Sequence, residues 1–222
     1  MSEKAESPAV SYLVPSGYGE AELIEKRSRF LARVWSAETE ADALAHLSET
    51  RELHRDASHN VYAYIIRTGN LMRYSDDGEP GGSSGLPTLN VFRAGGIFDF
   101  CCVVTRWFGG TLLGTGGLAR AYSSAAKLAL DAAGISEMAL WRPYNLECSY
   151  KQYELLARLL AESNASQVEA QFGEQVSVSA YISAQVAQVF EERLRERFAG
   201  AIKANSSVDI FMAGKADKAD NT

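Results

Sequence analysis

Apolar and polar positions alternate over residues 28–35, with Phe30, Ala32 and Val34 on one side and Arg29, Leu31 and Arg33 on the other. That is the two-residue period of a strand, and a shorter strand is predicted at 22–24. Ser36 is placed to cap a helix entering through the acidic run Glu38, Glu40 and Asp42. Its apolar residues Ala41, Leu44, Ala45, Leu47 and Leu53 fall roughly on one helical face. Residues 59–67 are rich in β-branched and aromatic side chains and predict a strand, with a turn at 68–70 and a short hairpin partner at 71–75. The stretch 75–87 holds too much Gly, Pro and Asp for a helix or strand. A helix follows at 87–93, stopped by Gly95 and Gly96. A buried strand at 97–105 and an Ala-rich helix at 118–133, ended by Gly134, complete the first half. Its order reads β-β-α-β-β-α-β-α.

The second half has a simpler rhythm. Strand 140–150, helix 152–163, a hairpin of 167–172 and 175–182 across Gly173, helix 184–198 and a last strand at 202–212 give βαββαβ, the ferredoxin-like pattern. The expected fold class is therefore α+β. The expected domains are 18–134 and 138–213, between a flexible start at 1–17 and a disordered tail at 214–222.

Bulk composition narrows the functions. At 222 residues the chain exceeds the roughly 100–150 usual for one domain, in keeping with two cores. A net charge of −6 argues against nonspecific coating of nucleic acid, so any RNA contact has to come from a local cluster. No stretch reaches the roughly 20 apolar residues of a membrane span, and residues 1–20 lack a signal-peptide apolar core. The three cysteines, two of them adjacent, give neither a disulfide framework nor zinc-ligand spacing. The expected setting is cytoplasmic, with no membrane partner.

Chemistry concentrates in two loops. Five glycines, Gly109, Gly110, Gly114, Gly116 and Gly117, stand between the 97–105 strand and the helix that follows, flanked by Arg106 and Arg120. So many glycines imply positive φ or a close approach, and the unpaired amides of a helix start can hold an anion. A dinucleotide fingerprint fits poorly, because the strand ends several residues too early, and the Lys-Ser/Thr pair of a phosphate-binding P-loop is missing. Residues 81–85 fit G-x-S-x-G, yet Asp-Asp-Gly-Glu-Pro precedes them where a buried strand is needed, and all three histidines lie upstream. Asp76, Asp77 and Glu79 offer hard oxygen ligands for a divalent cation, or make a turn and pair with Arg73 or Arg106. His59 heads a strand, open to a functional or a structural role. Cys101 and Cys102 read as packing.

Four segments then carry a resemblance. S-R-F-L-A at 28–32, H-x-x-A-S-H-N-x-x-A-Y at 54–64, the 73–87 loop and V-V-T-R-W-F-G-G-T-L-L-G-T-G-G-L-A-R-A-Y at 103–122 resemble the Impact family, in particular its bacterial YigZ-type members. The resemblance spans about residues 18–212. It departs at Val61, where cysteine is frequent, and at Gly82-Ser83-Ser84, where Ser-Gly-Thr is common. It implies a first domain like the second domain of ribosomal protein S5, with helices against one face of a four-stranded sheet. It implies a second domain like the ferredoxin-like last domain of elongation factor G.

Eukaryotic relatives regulate translation through a stress-kinase activator, with a different partner domain. The resemblance therefore implies a non-enzymatic, translation-associated protein that binds RNA, the ribosome or a protein of the translation machinery. No cofactor and no metal are expected. The expected site is of mixed charge: Arg29, His59, Arg73, Asp76, Asp77, Glu79, Arg106, the five glycines and Arg120. The alternative is a small-molecule or metal-dependent, hydrolase-like enzyme using Asp76, Asp77, Glu79 and Arg106.

Overall fold

The computed structural model describes residues 11–213; the start at 1–10 and the tail at 214–222 lie outside them. The described chain divides into two compact units, Tyr12–Glu137 and a second from Met138 onward. In the first, β1 (Ser11–Pro15), β2 (Gly19–Glu25) and β3 (Ser28–Ser36) precede α1 (Glu40–Leu53). Next come β4 (His59–Ile66), β5 (Leu71–Ser75) and α2 (Gly85–Ala94), then β6 (Phe100–Trp107) and α3 (Thr115–Ala133). Five strands pair antiparallel in the order β2-β3-β6-β4-β5.

The unbroken apolar run of β6 follows from its place at the centre of this sheet. A strand covered on both faces loses the alternation that marks a half-exposed one. Phe100, Cys102 and Val104 join Phe30, Val34, Val61 and Ala63 under α2 and α3, while Cys101 and Val103 meet Ala43 and Leu47 of α1. This corrects the four-stranded, one-faced arrangement that the resemblance implies. The sheet has five strands, and α1 lies on the face opposite α2 and α3, because neighbouring residues of β6 point to opposite sides.

Residues 11–15 also depart from the irregular start expected there. They form β1, where the Phe98 N–H donates to the Leu13 carbonyl, and the Ser16 N–H just beyond it donates to the Gly134 carbonyl. α1 starts three residues later than the Ser36 cap implies. Thr39 is its cap: its side chain accepts from the Asp42 N–H, and the Asp42 carboxylate accepts from the Thr39 N–H.

The second unit continues from β7 (Ile135–Cys148), which occupies the expected boundary at 134–138, through α4 (Tyr150–Glu162), β8 (Ser166–Phe172) and β9 (Val176–Ser183). It ends with α5 (Ala187–Arg197), β10 (Ala204–Ser206) and β11 (Ile210–Ala213). β9 lies between β7 and β8, while β10 and β11 pair with β7, all antiparallel. Tyr144, Leu146, Val178 and Ile182 of the sheet pack on Leu156 and Leu159 of α4 and Phe190 and Leu194 of α5. The last strand, expected as one piece, is split where Asp209 accepts a hydrogen bond from Arg142 at 2.7 Å. The whole is an α+β protein of two antiparallel sheets. No helix among the described residues is long and apolar enough to cross a membrane.

Candidate functional site

β6 delivers the central cation. In register, Arg106 stands beside Phe30 of β3 on one side and His59 of β4 on the other. It is 4 % exposed, with its guanidinium carbon 5.4 Å from the Phe30 ring and 5.5 Å from the Phe108 ring. Arg106 Nη1 donates to Glu79 Oε1 at 2.6 Å, and Nη2 donates to Ser28 Oγ at 3.2 Å. Its Nε is buried without a hydrogen-bond partner. From α3, the Tyr122 hydroxyl donates to the same Glu79 oxygen at 2.8 Å. Burial, and then the Glu79 carboxylate, push the Tyr122 phenol far above its ordinary pKa, so it stays a donor. Ser28 and Tyr122 offset part of the desolvation of this buried ion pair, the one on the guanidinium and the other on the carboxylate.

The 75–84 loop holds Glu79 in place by anchoring the two acids before it. Asp76 Oδ1 accepts from the Ser84 N–H, the Ser84 hydroxyl and the Gly85 N–H, and Oδ2 from the Gly82 N–H. It thereby caps α2. Burial works against its ionisation, but these hydrogen bonds outweigh burial and hold its pKa below the usual aspartate value. Asp77 accepts from the Asn60 N–H at 2.7 Å and from Arg51 at 2.9 Å, while its carbonyl faces His59 Nδ1 at 2.8 Å. His59 Nε2 in turn lies 3.8 Å from Glu79 Oε1.

Above this network opens a cavity of about 520 Å³. Ser58, His59, Glu79 and Arg106 line its polar side; Pro80, Phe108, Leu112, Leu113 and Leu118 supply apolar walls; Gly78, with Gly114 and Thr115 at the start of α3, completes the lining. The first three amides of α3 have no carbonyl partner within the helix. Gly109 ties the glycine loop to the sheet: a Cβ there would sit 2.0 Å from the Arg27 carbonyl carbon. Its N–H donates to Ser28 Oγ, the same oxygen that receives Arg106.

Of the residues expected at one site, the fold brings together His59, Glu79, Arg106 and Gly114, with Gly109 as a support and exposed Gly110 on the same loop. Gly116 and Gly117 belong to the first turn of α3, and Gly117 and Arg120 line a neighbouring depression of about 290 Å³ with Lys26 and Leu113. Arg29 pairs with Glu22 and lies over Trp107 on the α1 side of the sheet. Arg73, opposite Tyr64 on the edge strand β5, is exposed on that side too. Asp76 and Asp77, near in sequence to the site, are taken up by backbone amides, Ser84 and Arg51. No group of three His, Cys, Asp or Glu side chains able to hold a metal occurs among the described residues. Burial pushes the Cys101 thiol up to about 12 and Cys102 well above its ordinary value, in keeping with packing roles. Sequence reasoning missed Ser28, Phe108 and Tyr122. All three sit inside the motif segments, so the signal was the segment and not the residue type.

Fold and site define an α+β protein whose first unit carries a ligand-sized cavity over a buried ion pair. The chain belongs to the IMPACT family. Residues 26–130 match the Impact N-terminal domain, and residues 146–201 match a domain of unknown function (DUF1949). An IMPACT family member of Bacillus subtilis, YvyE, is 33% identical over 84% of this chain and 86% of its own. The Escherichia coli member YigZ is 28% identical over 87% of this chain and 96% of its own. A crystal structure described as that of a hypothetical protein superimposes with a TM-score of 0.57 at 27% identity, covering 87% of this chain and 96% of that one.

Proposed function

We propose that the chain is a non-enzymatic, cytoplasmic, translation-associated protein that binds RNA of the ribosome or its factors through the Glu79–Arg106 cavity. In this reading the first unit is of the ribosomal protein S5 domain 2 type and the second is ferredoxin-like, a pairing at home on RNA. One observation carries it. The cavity combines apolar and aromatic walls with the open amides of the α3 start, the two features that one splayed-out nucleotide needs for its base and its phosphate. With a net charge of −6, affinity has to come from such a pocket and not from a general basic field. The hydrolase-like alternative loses support because Asp76 and Asp77 are engaged in the loop.

The test is fluorescence anisotropy with a labelled single-stranded RNA of roughly 12 nucleotides. Through the pocket alone, affinity is expected to fall only about threefold between about 50 and 200 mM salt, as one phosphate contact on a single strand implies. Phe108→Ala is expected to weaken binding about tenfold through lost stacking. Equal affinity for the wild type and Phe108→Ala, or ribosome cosedimentation that survives ribonuclease and high salt with no RNA binding, would overturn the proposal.

A further inference from the structure

The start of α3 is a helix end without a counter-charge. The helix runs for 19 residues, no side chain caps it, and its first turn holds no acid. A cation reaches back over it instead: Arg120 Nη1 lies 3.9 Å from the position a Cβ on Gly116 would take. A guanidinium at the positive end of a helix dipole is repelled by it, and an anion between the two relieves both. On the cavity side, Arg106 lines the same space as Gly114 and Thr115, and its buried Nε has no partner.

On the other side lies the depression of about 290 Å³, which shares Leu113 with the cavity. Lys26 and Arg120 line it, and Arg27 is next in the chain. Lys26 and Arg27 are the two central residues of the β2–β3 hairpin, where Glu25 pairs with Ser28. Gly109 packs against the Arg27 carbonyl and so fixes this turn to the glycine loop. All three cations are exposed, and none forms an ion pair among the described residues. Of the nine other Lys and Arg residues between 15 and 134, six are paired, so unpaired positive charge is gathered here. Glu25, the one acid on the lining, pairs with none of the three.

Two arginines that can each meet a phosphate with paired N–H donors, and a lysine as a point charge, thus continue from the free amides of α3. We infer that the backbone of a bound single strand leaves the cavity at the α3 start and runs across Arg120, Lys26 and Arg27, each of which neutralises one phosphate. The inference deepens the RNA reading and rests on it.

The experiment titrates the full-length chain with the same single-stranded RNA across the same salt range. Three phosphates added to the one at the pocket raise the expected fall in affinity from about threefold to about 50-fold. Arg120→Gln, Lys26→Gln and Arg27→Gln together are expected to return it to about threefold, and each alone to remove a factor of about three. Thermal melting checks that the variants keep their fold; if one does not, the salt slope of the wild type decides alone. A threefold fall in the wild type, with binding that still depends on Phe108, would overturn the track and leave the RNA reading standing. So would a 50-fold fall that the triple variant keeps. Tripolyphosphate bound by the wild type and lost in the triple variant, with no affinity for RNA, would sustain phosphate binding by the three cations and overturn the RNA reading. Absence of binding to either would overturn the two together.

Discussion

Asp76 and Glu79, three residues apart, show how differently one loop uses two carboxylates. Glu79 is closed off with Arg106 and Tyr122 beneath the cavity, whereas Asp76 gathers four hydrogen bonds at the start of α2. Asp76→Asn is expected to lower stability at pH 7 by about 1–3 kcal/mol, since an amide meets those donors with one acceptor and a misplaced NH₂. Because its pKa is depressed in the folded chain, the stabilisation from Asp76 is present above the ordinary aspartate value and lost as pH falls through the folded one. The gap between wild type and Asp76→Asn in urea midpoint should therefore be full at pH 7 and shrink below about pH 4. Sequence alone groups Asp76, Asp77 and Glu79 as one acidic cluster. Which oxygen meets which amide depends on the positive φ of Asp77 and Gly78, a turn geometry that composition does not specify. The Glu79–Arg106 pairing was legible, as opposite charges in the two motif loops. Tyr122 was not, because its role exists only once α3 crosses the sheet.

Among the elements, those with a strong local period were readable and those completed by distant partners were not. β3, β4 and β5 carry their own alternation or turn. β1 consists of five residues whose partners lie some eighty or more positions away, so no window around it holds the signal. α3 begins at Thr115, three residues before the expected start, because Gly116 and Gly117 read as loop yet adopt the first helical turn. The glycines of this region therefore divide into two kinds, and substitution separates them. Gly109→Ala is expected to cost about 3 kcal/mol or more, since its Cβ would meet the Arg27 backbone at 2.0 Å. Gly116→Ala, whose Cβ meets nothing closer than an Arg120 nitrogen at 3.9 Å, is expected to leave stability unchanged or raise it by up to about 1 kcal/mol. Thermal melts of the two variants beside wild type check both.

For the molecule as a whole, the two-unit α+β plan was visible in the switch from the first, irregular order of elements to βαββαβ. The placement of α1 on the far face was not, because a strand buried on both sides gives no sign of which helix covers which side. The central position of β6 also sets a timetable. Ribosomes make β2 through β5 before the strand that joins them, so a growing chain that stops short of Phe100 holds two halves of a sheet with no middle. The inner edges of β3 and β4, paired with β6 in the finished unit, would then be open to other chains. A chain ending at Asp99 is expected to be protease-sensitive and to aggregate, and one ending at Glu137 to resist digestion, as limited proteolysis of the two products would show. Birth order along the polypeptide thus makes the first unit all-or-none: it stays unfinished until its keystone strand and α3 have been synthesised.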